Sequence, residues 1–140
     1  MKYFIDTNVF LDLVVREGGT RYKESRVFLD KVKSGEVVAI TSNLVLAEVG
    51  WVLGSFYKTE ENEVSRAITL IISIVGLKFV EKVVWADALS LFCRKKVKLV
   101  DCLIASMPKI SEGKWAVVSY DKDFDKLGVK RMEPGDVVLE

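Results

Sequence analysis

The sequence contains no histidine among its 140 residues. This absence excludes Ser-His-Asp and Cys-His catalysis, zinc sites that use histidine, and acid–base chemistry by an imidazole. The two cysteines, Cys93 and Cys102, have a separation that fits neither a CxxC redox motif nor a metal knuckle. We interpret both as buried apolar thiols of a cytoplasmic protein, with a disulfide as the less favoured alternative.

A large net charge and a long apolar run are also lacking. The formal net charge is +1, so a polyanion would have to be bound by local basic patches or metal ions rather than by a global positive field. No apolar run approaches the length that a bilayer requires. Asp6, Asn8 and Asp12 interrupt an apolar beginning that would otherwise resemble a signal peptide. We therefore expect a cytoplasmic protein without a membrane partner.

What the chain does contain is enough for one folded domain. Half of the residues are hydrophobic and 29% are charged, as in globular proteins, and we expect residues 1–140 to form a single domain. Short apolar strands separated by helical patterns predict a three-layer α/β/α fold with a central, mainly parallel sheet. The predicted strands cover residues 3–5, 36–41 and 114–120, with a strand or turn at 78–81. The predicted helices cover residues 9–14, 20–34, 44–53, 59–77 and 85–92, and a turn is predicted at 134–136 between possible edge strands.

Four acids lie in or beside apolar runs, where a lone carboxylate is costly to bury. Asp6 and Asp121 follow the two clearest strands, and parallel strands bring their carboxyl ends to one edge of a sheet. Glu48 shares a helix face with large apolar residues, although it could also lie at the edge of that face with its carboxylate in solvent. Asp101 stands at or near a helix start, where an acid often only stabilises the helix.

Several converging carboxylates without histidine indicate a divalent cation acting on a phosphoryl group. Mg²⁺ and Mn²⁺ are hard ions that prefer oxygen ligands. Such ions can activate water, offset phosphate charge and stabilise a leaving oxygen. Hydrolysis of a phosphodiester is the reaction that this donor set favours.

Four segments in order resemble the PIN-domain ribonucleases, and most closely the VapC-type toxins of toxin–antitoxin pairs. They are Tyr3-Phe4-Ile5-Asp6-Thr7-Asn8, Ala47-Glu48-Val49, Val100-Asp101-Cys102-Leu103-Ile104-Ala105, and Val118-Ser119-Tyr120-Asp121-Lys122-Asp123-Phe124. No segment is specific alone, but their order and spacing together match the family across nearly the whole chain. The resemblance implies an endoribonuclease that requires Mg²⁺ or Mn²⁺.

The resemblance also implies roles for individual residues. Asp6, Glu48, Asp101 and Asp121 match the acidic quartet, with Asp6 and Asp101 as direct metal ligands and the other two acids binding a second ion or holding water. Thr7, Asn8 and Ser119 match polar supports that orient these carboxylates. Asp123 could replace Asp121 if the strand ends later, but otherwise it is a capping or surface acid. The sequence departs from the family at Lys98-Leu99-Val100, where members often carry a hydroxyl or small residue before the third acid.

Possible partners are indicated by three features. The helix at 59–77 is apolar around most of its circumference, so it is either central in the core or covered by another chain, and we expect a homodimer or a bound partner. The basic run at 94–98 either stabilises a helix C-terminus or contacts phosphate. By resemblance, the substrate is RNA and a small antitoxin covers the acidic pocket.

The chain lacks residues that two other families require, and two other functions stay open. A haloacid-dehalogenase-like phosphatase requires a second Asp two residues after the first, where this chain has Asn8. A receiver domain requires an acidic pair before Asp6, which is missing. A housekeeping RNA-processing PIN nuclease without an antitoxin, and a PIN-like binding module that no longer cleaves, stay open as alternatives.

Overall fold

The computed structural model describes residues 1–15 and 18–139, and within them five strands form one sheet in which every pair is parallel. The strand order is β3-β2-β1-β4-β5. Helices cover both faces, so the predicted three-layer α/β/α fold is confirmed. The strands are β1 (Lys2–Ile5), β2 (Ala39–Thr41), β3 (Lys78–Phe79), β4 (Trp115–Val118) and β5 (Arg131–Met132).

The helices alternate with the strands and supply the crossovers that parallel pairing requires. A 3₁₀ helix at Lys122–Leu127 follows β4. No helix in the described ranges has the length and apolar character needed to cross a membrane. The α-helices are α1 (Thr7–Val15), α2 (Thr20–Ser34), α3 (Asn43–Ser55), α4 (Glu61–Ile72), α5 (Trp85–Lys95), α6 (Leu99–Ala105), α7 (Pro108–Ser111) and α8 (Pro134–Val138).

The central strand, β1, is where the sheet order reverses. Phe4 pairs with Ile40 of β2 on one side and with Val117 of β4 on the other. Phe4 and Val117 are fully buried, as expected for strands covered by helices on both faces. In such sheets the crevice beyond the carboxyl ends of the strands at the reversal point is the usual ligand site. Asp6 is the first residue after β1 at this crevice.

Strand β2 is shorter than the predicted 36–41 because the chain before it is bound to the preceding helix. Gly35 ends α2 in a left-handed conformation with φ 83°, which glycine adopts without steric cost. The Val37 amide then donates to the Lys31 carbonyl at 3.2 Å instead of to the sheet. Pairing with β1 therefore starts only at Ala39.

Helix α4 is shorter than the predicted 59–77 and is not central in the core. The Ser73 amide and hydroxyl both donate to the Thr69 carbonyl and close the helix. Only Ala67 and Ile71 of the helix are buried, whereas Leu70 is 70% exposed. The prediction that this apolar helix is central in the core is therefore wrong. The alternative, that another chain covers it, stays a prediction.

The turn predicted at 134–136 is wrong, because these residues begin helix α8. Pro134 occupies the first turn, where its missing amide costs no hydrogen bond. The side chains of Glu133 and Asp136 each accept from the other's backbone amide and form a capping box. Helix α8 packs against α2.

The interpretation of both cysteines as buried thiols is correct for Cys102 and wrong for Cys93. Both are free, but Cys93 is exposed on α5. This helix buries Ala88, whereas Ala86, Leu89 and Phe92 face solvent. Position 93 therefore lies outside the core.

Candidate active site

A pocket of about 280 Å³ lies at the carboxyl ends of β1 and β4, where the sheet order reverses. Asp6 arrives directly from β1, Asp121 follows β4, and Glu48 projects from α3. Serine caps α3 at Ser42, whose hydroxyl accepts from the Leu44 amide at 3.1 Å, and this fixes the start of the helix that carries Glu48. Other lining residues are Thr7, Asn8, Leu11, Arg21, Val52, Lys98 and Tyr120.

The Asp6 carboxylate is buried and only half satisfied. Its Oδ2 accepts from the Ser119 hydroxyl at 2.7 Å and from the Asn8 amide at 3.3 Å. Its Oδ1 has no hydrogen-bond partner among the described residues. Burial raises the pKa of Asp6 to about 6, although the Ser119 hydrogen bond opposes this. A cation beside Oδ1 would offset the cost of burying the ionised acid.

Asn8 and Ser119 tie the ends of β1 and β4 together. The Asn8 Nδ2 donates to Ser119 Oγ at 2.9 Å, and the Asn8 Oδ1 accepts from the Tyr120 amide at 3.1 Å. Ser119 Oγ also accepts from the Asp121 amide at 3.0 Å. These bonds orient Asp6 and set the backbone that leads to Asp121. The Thr7 hydroxyl is different, because it is buried and makes no hydrogen bond within the described part of the chain.

The Asp101 carboxylate is fully buried and lacks hydrogen-bond donors within residues 1–15 and 18–139. It lies in the first turn of α6 with 0% of its surface exposed, and neither carboxylate oxygen has a hydrogen-bond partner among the described residues. Burial, and then the negative charge of Asp6, raise the pKa of Asp101 to about 8, with smaller contributions from Asp121 and Glu48. A buried carboxylate without donors is otherwise rare in native proteins, and a bound cation is one arrangement that stabilises it.

Glu48 is paired with a lysine that sequence reasoning did not place in the site. Lys98 Nζ lies 3.3 Å from Glu48 Oε2 and 3.5 Å from Oε1. The same nitrogen lies 3.8 Å from Asp101 Oδ1. Glu48 has a side chain that is only 14% exposed, so the alternative of a carboxylate lifted into solvent is wrong.

The structure separates Asp121 from Asp123. Asp121 lines the pocket and caps the 3₁₀ helix through a 2.9 Å bond from the Asp123 amide to its Oδ1. Asp123 has a side chain that is 44% exposed, and it pairs with Lys126 at 3.0 Å. Strand β4 ends at Val118, earlier than the predicted 120, so the geometry favours Asp121 rather than Asp123 as the fourth acid.

Arg21 and Tyr120 were not identified from the sequence, yet both line the pocket. The Arg21 guanidinium lies 4.0 Å from the centre of the Tyr120 ring and donates to the buried Asp12 at 2.6 Å. The Tyr120 hydroxyl donates to Glu24 at 2.7 Å. In the sequence, Arg21 is one of many charges on the wet face of α2, so no pattern distinguished it.

The donor set suits a hard divalent cation. Three buried carboxylate oxygens, one of Asp6 and two of Asp101, have no hydrogen-bond donor in the described ranges, and Mg²⁺ and Mn²⁺ prefer oxygen ligands. Across those residues no three acidic or thiol side chains converge closely enough to form a ready metal cage. In the described conformation Glu48 is turned to Lys98, so the two aspartates fit the ion and the third acid is held by the lysine.

Comparison with known families agrees with this geometry. The model of the PIN domain matches residues 3–130, which include all four acids. The chain belongs to the PIN domain family. A PIN domain thus accounts for nearly the whole sequence and for the resemblance noted from its four segments. The comparison with curated protein sequences gave no match.

Solved structures share the fold of this PIN domain at low sequence identity. VapC20 of Mycobacterium tuberculosis, described as a sarcin-ricin loop cleaving toxin, is 20% identical with a TM-score of 0.69, covering 95% of this chain and 100% of the other. PAE2754 from Pyrobaculum aerophilum is 14% identical with a TM-score of 0.68, and the match covers 99% of this chain and 93% of the other. VapBC2 from Rickettsia felis, bound to a promoter DNA fragment, is 16% identical with a TM-score of 0.66, and the match covers 95% of this chain and 98% of the other.

Proposed function

We propose that this protein is a metal-dependent endoribonuclease that hydrolyses RNA phosphodiester bonds. The observation that carries the proposal is Asp101, which is fully buried with both carboxylate oxygens lacking hydrogen-bond donors in the described chain. Besides burial, the negative charges of Asp6, Glu48 and Asp121 all raise the pKa of Asp101, which supports assigning the four acids to one site. Such a cluster serves cation binding better than it serves stability.

Asp6 and Asp101 would hold a Mg²⁺ or Mn²⁺ ion directly, with Glu48 and Asp121 as further ligands or as acceptors for water. When bound, the ion supplies Lewis-acid charge that offsets the phosphate and the leaving oxygen. The chain itself orients the ligands. Ser119 and Asn8 fix Asp6 through bonds of 2.7 and 3.3 Å to its Oδ2, and such supporting bonds commonly tune metal affinity.

Arg21 is placed to bind the phosphate backbone of the substrate. It lines the acidic pocket, and its side chain is 38% exposed. Its stacking on Tyr120 and its bond to Asp12 limit the orientations of the guanidinium, whose planar fork matches phosphate oxygens. A formal net charge of +1 makes such local contacts necessary for binding a polyanion.

We further propose that the enzyme is the toxin of a cytoplasmic toxin–antitoxin pair. Structural neighbours include VapBC complexes from Rickettsia felis and Salmonella typhimurium. An apolar groove of about 590 Å³ runs between α1, α2 and α4, and this groove suits the apolar face of a partner helix. A small antitoxin bound there could extend a segment over the acidic pocket. RNA as the substrate is supported by the name of VapC20.

A homodimer is part of the same proposal. Exposed apolar side chains on α4 and α5 include Leu70 and Trp85, which are 70% and 55% exposed. Surfaces of this kind commonly contact another chain. Sedimentation of the purified protein would test this directly, since a monomer at micromolar concentration would contradict it.

Two alternatives differ in what they predict. A PIN nuclease that processes RNA and has no antitoxin would cleave RNA, but no small antitoxin protein would inhibit it. A PIN-like binding module would bind neither Mn²⁺ nor Mg²⁺ and would not cleave. The Asp101 oxygens, which lack hydrogen-bond donors in the described chain, favour an active enzyme, because a binding module gains nothing from a buried acid without donors.

The test is cleavage of single-stranded RNA by the purified protein with Mn²⁺, Mg²⁺ or a chelator. Asp121→Asn is compared with the matched variant Asp123→Asn, which removes the same charge from an acid outside the pocket. We expect metal-dependent cleavage that falls at least about tenfold in Asp121→Asn and persists in Asp123→Asn. Cleavage that survives chelation, or equal loss in both variants, would contradict the proposal.

A further inference from the structure

Lys98 occupies the centre of the acidic site rather than the surrounding surface. Its Nζ lies 3.3 Å from Glu48 Oε2 and 3.8 Å from Asp101 Oδ1. Its partners are shielded from water, because the side chains of Glu48 and Asp101 are only 14% and 0% exposed. Half of the lysine side chain is itself exposed, so it has solvent on one side and the acids on the other.

The fold delivers this lysine to the site through its position on α6. Lys98 is the residue before the first turn of that helix, and Asp101 follows three residues later on the same side. Val97, the preceding residue, is 2% exposed and anchors the backbone in the core. An ammonium group has no acceptor and cannot cap the amides of the helix, and that of Lys98 extends to the acids instead.

We propose that Lys98 is a tethered counter-ion that competes with the divalent cation for Glu48 and Asp101. This inference rests on the proposed function, since it assumes that a divalent cation binds these acids. An ammonium group within 4 Å of two ligand carboxylates repels an incoming cation and also occupies the Glu48 oxygens. Metal binding therefore requires Lys98 to release Glu48 and swing toward solvent.

The arrangement of the acids is consistent with this exchange. Among the described residues no three acids are close enough to bind one metal ion together. Both carboxylate oxygens of Glu48 accept from the Lys98 ammonium group instead. An ordinary surface ion pair would contribute little, because both partners would be hydrated. Here the partners are two shielded carboxylates, so loss of the lysine leaves charge that a bound proton or another cation must offset.

The test is equilibrium binding of Mn²⁺ by calorimetry to the wild-type protein and to Lys98→Met and Lys98→Gln. Lys95→Met is the matched control, because Lys95 is an exposed lysine at the end of α5 and does not line the pocket. We expect both Lys98 variants to bind Mn²⁺ on the order of tenfold more tightly than the wild type. The control should bind with wild-type affinity.

A second readout is the thermal midpoint of the chelated proteins. The Lys98 variants should melt at lower temperature than the wild type without metal and gain more from saturating Mn²⁺, because the ion then replaces the missing ammonium. If the wild type binds Mn²⁺ and both Lys98 variants bind it equally or more weakly, the inference about Lys98 is overturned but the proposed cofactor is not. Failure of the wild type and every variant to bind Mn²⁺ would overturn the proposed cofactor, and the inference with it.

Discussion

Replacing Asp101 with Asn should make the metal-free protein more stable at alkaline pH. The variant keeps the size and polarity of the side chain but removes the charge that burial disfavours. In the wild type the pKa of Asp101 rises from its ordinary 3.8 to about 8 in the folded protein, chiefly because the carboxyl is buried. The folded state therefore holds a proton that the unfolded chain has already released.

The sign and size of the effect follow from this difference. Stability from the protonated acid is fully present below about pH 4 and is lost as the pH rises toward 8 and beyond. Each pKa unit corresponds to ~1.36 kcal/mol, so between pH 5 and pH 8.5 the wild type should lose on the order of 4 kcal/mol relative to Asp101→Asn. The cost of burying the Asn amide is independent of pH and cancels in this comparison.

Urea denaturation of both proteins with excess chelator, at several values between pH 5 and 8.5, measures this difference. We expect the two unfolding free energies to approach or cross near the acidic end and to diverge in favour of the variant at the alkaline end. Saturating Mn²⁺ should restore stability only to the wild type. A constant difference across the pH range would refute the assignment of Asp101 as a buried acid held without donors.

Three further substitutions test other parts of the structure. Ser119→Ala removes the 2.7 Å bond to Asp6 and should weaken Mn²⁺ binding about 10- to 100-fold with only a modest loss of stability, whereas unchanged affinity would show that Asp6 needs no such support. Arg21→Gln removes one 2.6 Å ion pair of the buried Asp12 and should destabilise the protein by about 1–2 kcal/mol because Arg21 is partly exposed, and adding Asp12→Asn should recover part of the loss in the same urea assay. Gly76→Ala should destabilise by about 1–3 kcal/mol, because φ is +88° and the added Cβ would lie 2.9 Å from the Val32 carbonyl oxygen, and a wild-type melting temperature would contradict this.

Much of the fold could be predicted because strand and helix patterns are local. The apolar run that ends in Asp6 and the run that ends before Asp121 specify neighbouring parallel strands, and both acids reach one pocket. Gly35 at the end of α2 and Ser42 at the start of α3 are local signals that mark those helix boundaries. In each case the signal lies within a few residues of the feature that it specifies.

The errors have a different origin. Helix α8 depends on a reciprocal pair of bonds between Glu133 and Asp136, which a proline-glycine turn signal conceals. The exposure of Cys93 depends on which face of α5 packs on the core. An amphipathic pattern cannot decide this when apolar residues occur on several faces.

The two cationic residues of the site could not be found from the sequence for a similar reason. Lys98 belongs to a basic run in which each lysine appears equivalent, and only the tertiary structure brings this one to Glu48. Arg21 reaches the pocket because it stacks on Tyr120, which is distant from it in sequence. Contacts between distant segments carry this information, and local pattern does not.

The central claim is that the four acids form one divalent-cation site at the reversal point of the sheet. A crystal structure of the protein grown with Mn²⁺, with the ion located by its anomalous scattering, tests this most directly. We expect an anomalous peak in contact with the carboxylates of Asp6 and Asp101. Mn²⁺ bound elsewhere, or no peak at saturating metal with both aspartates as they are now, would contradict it.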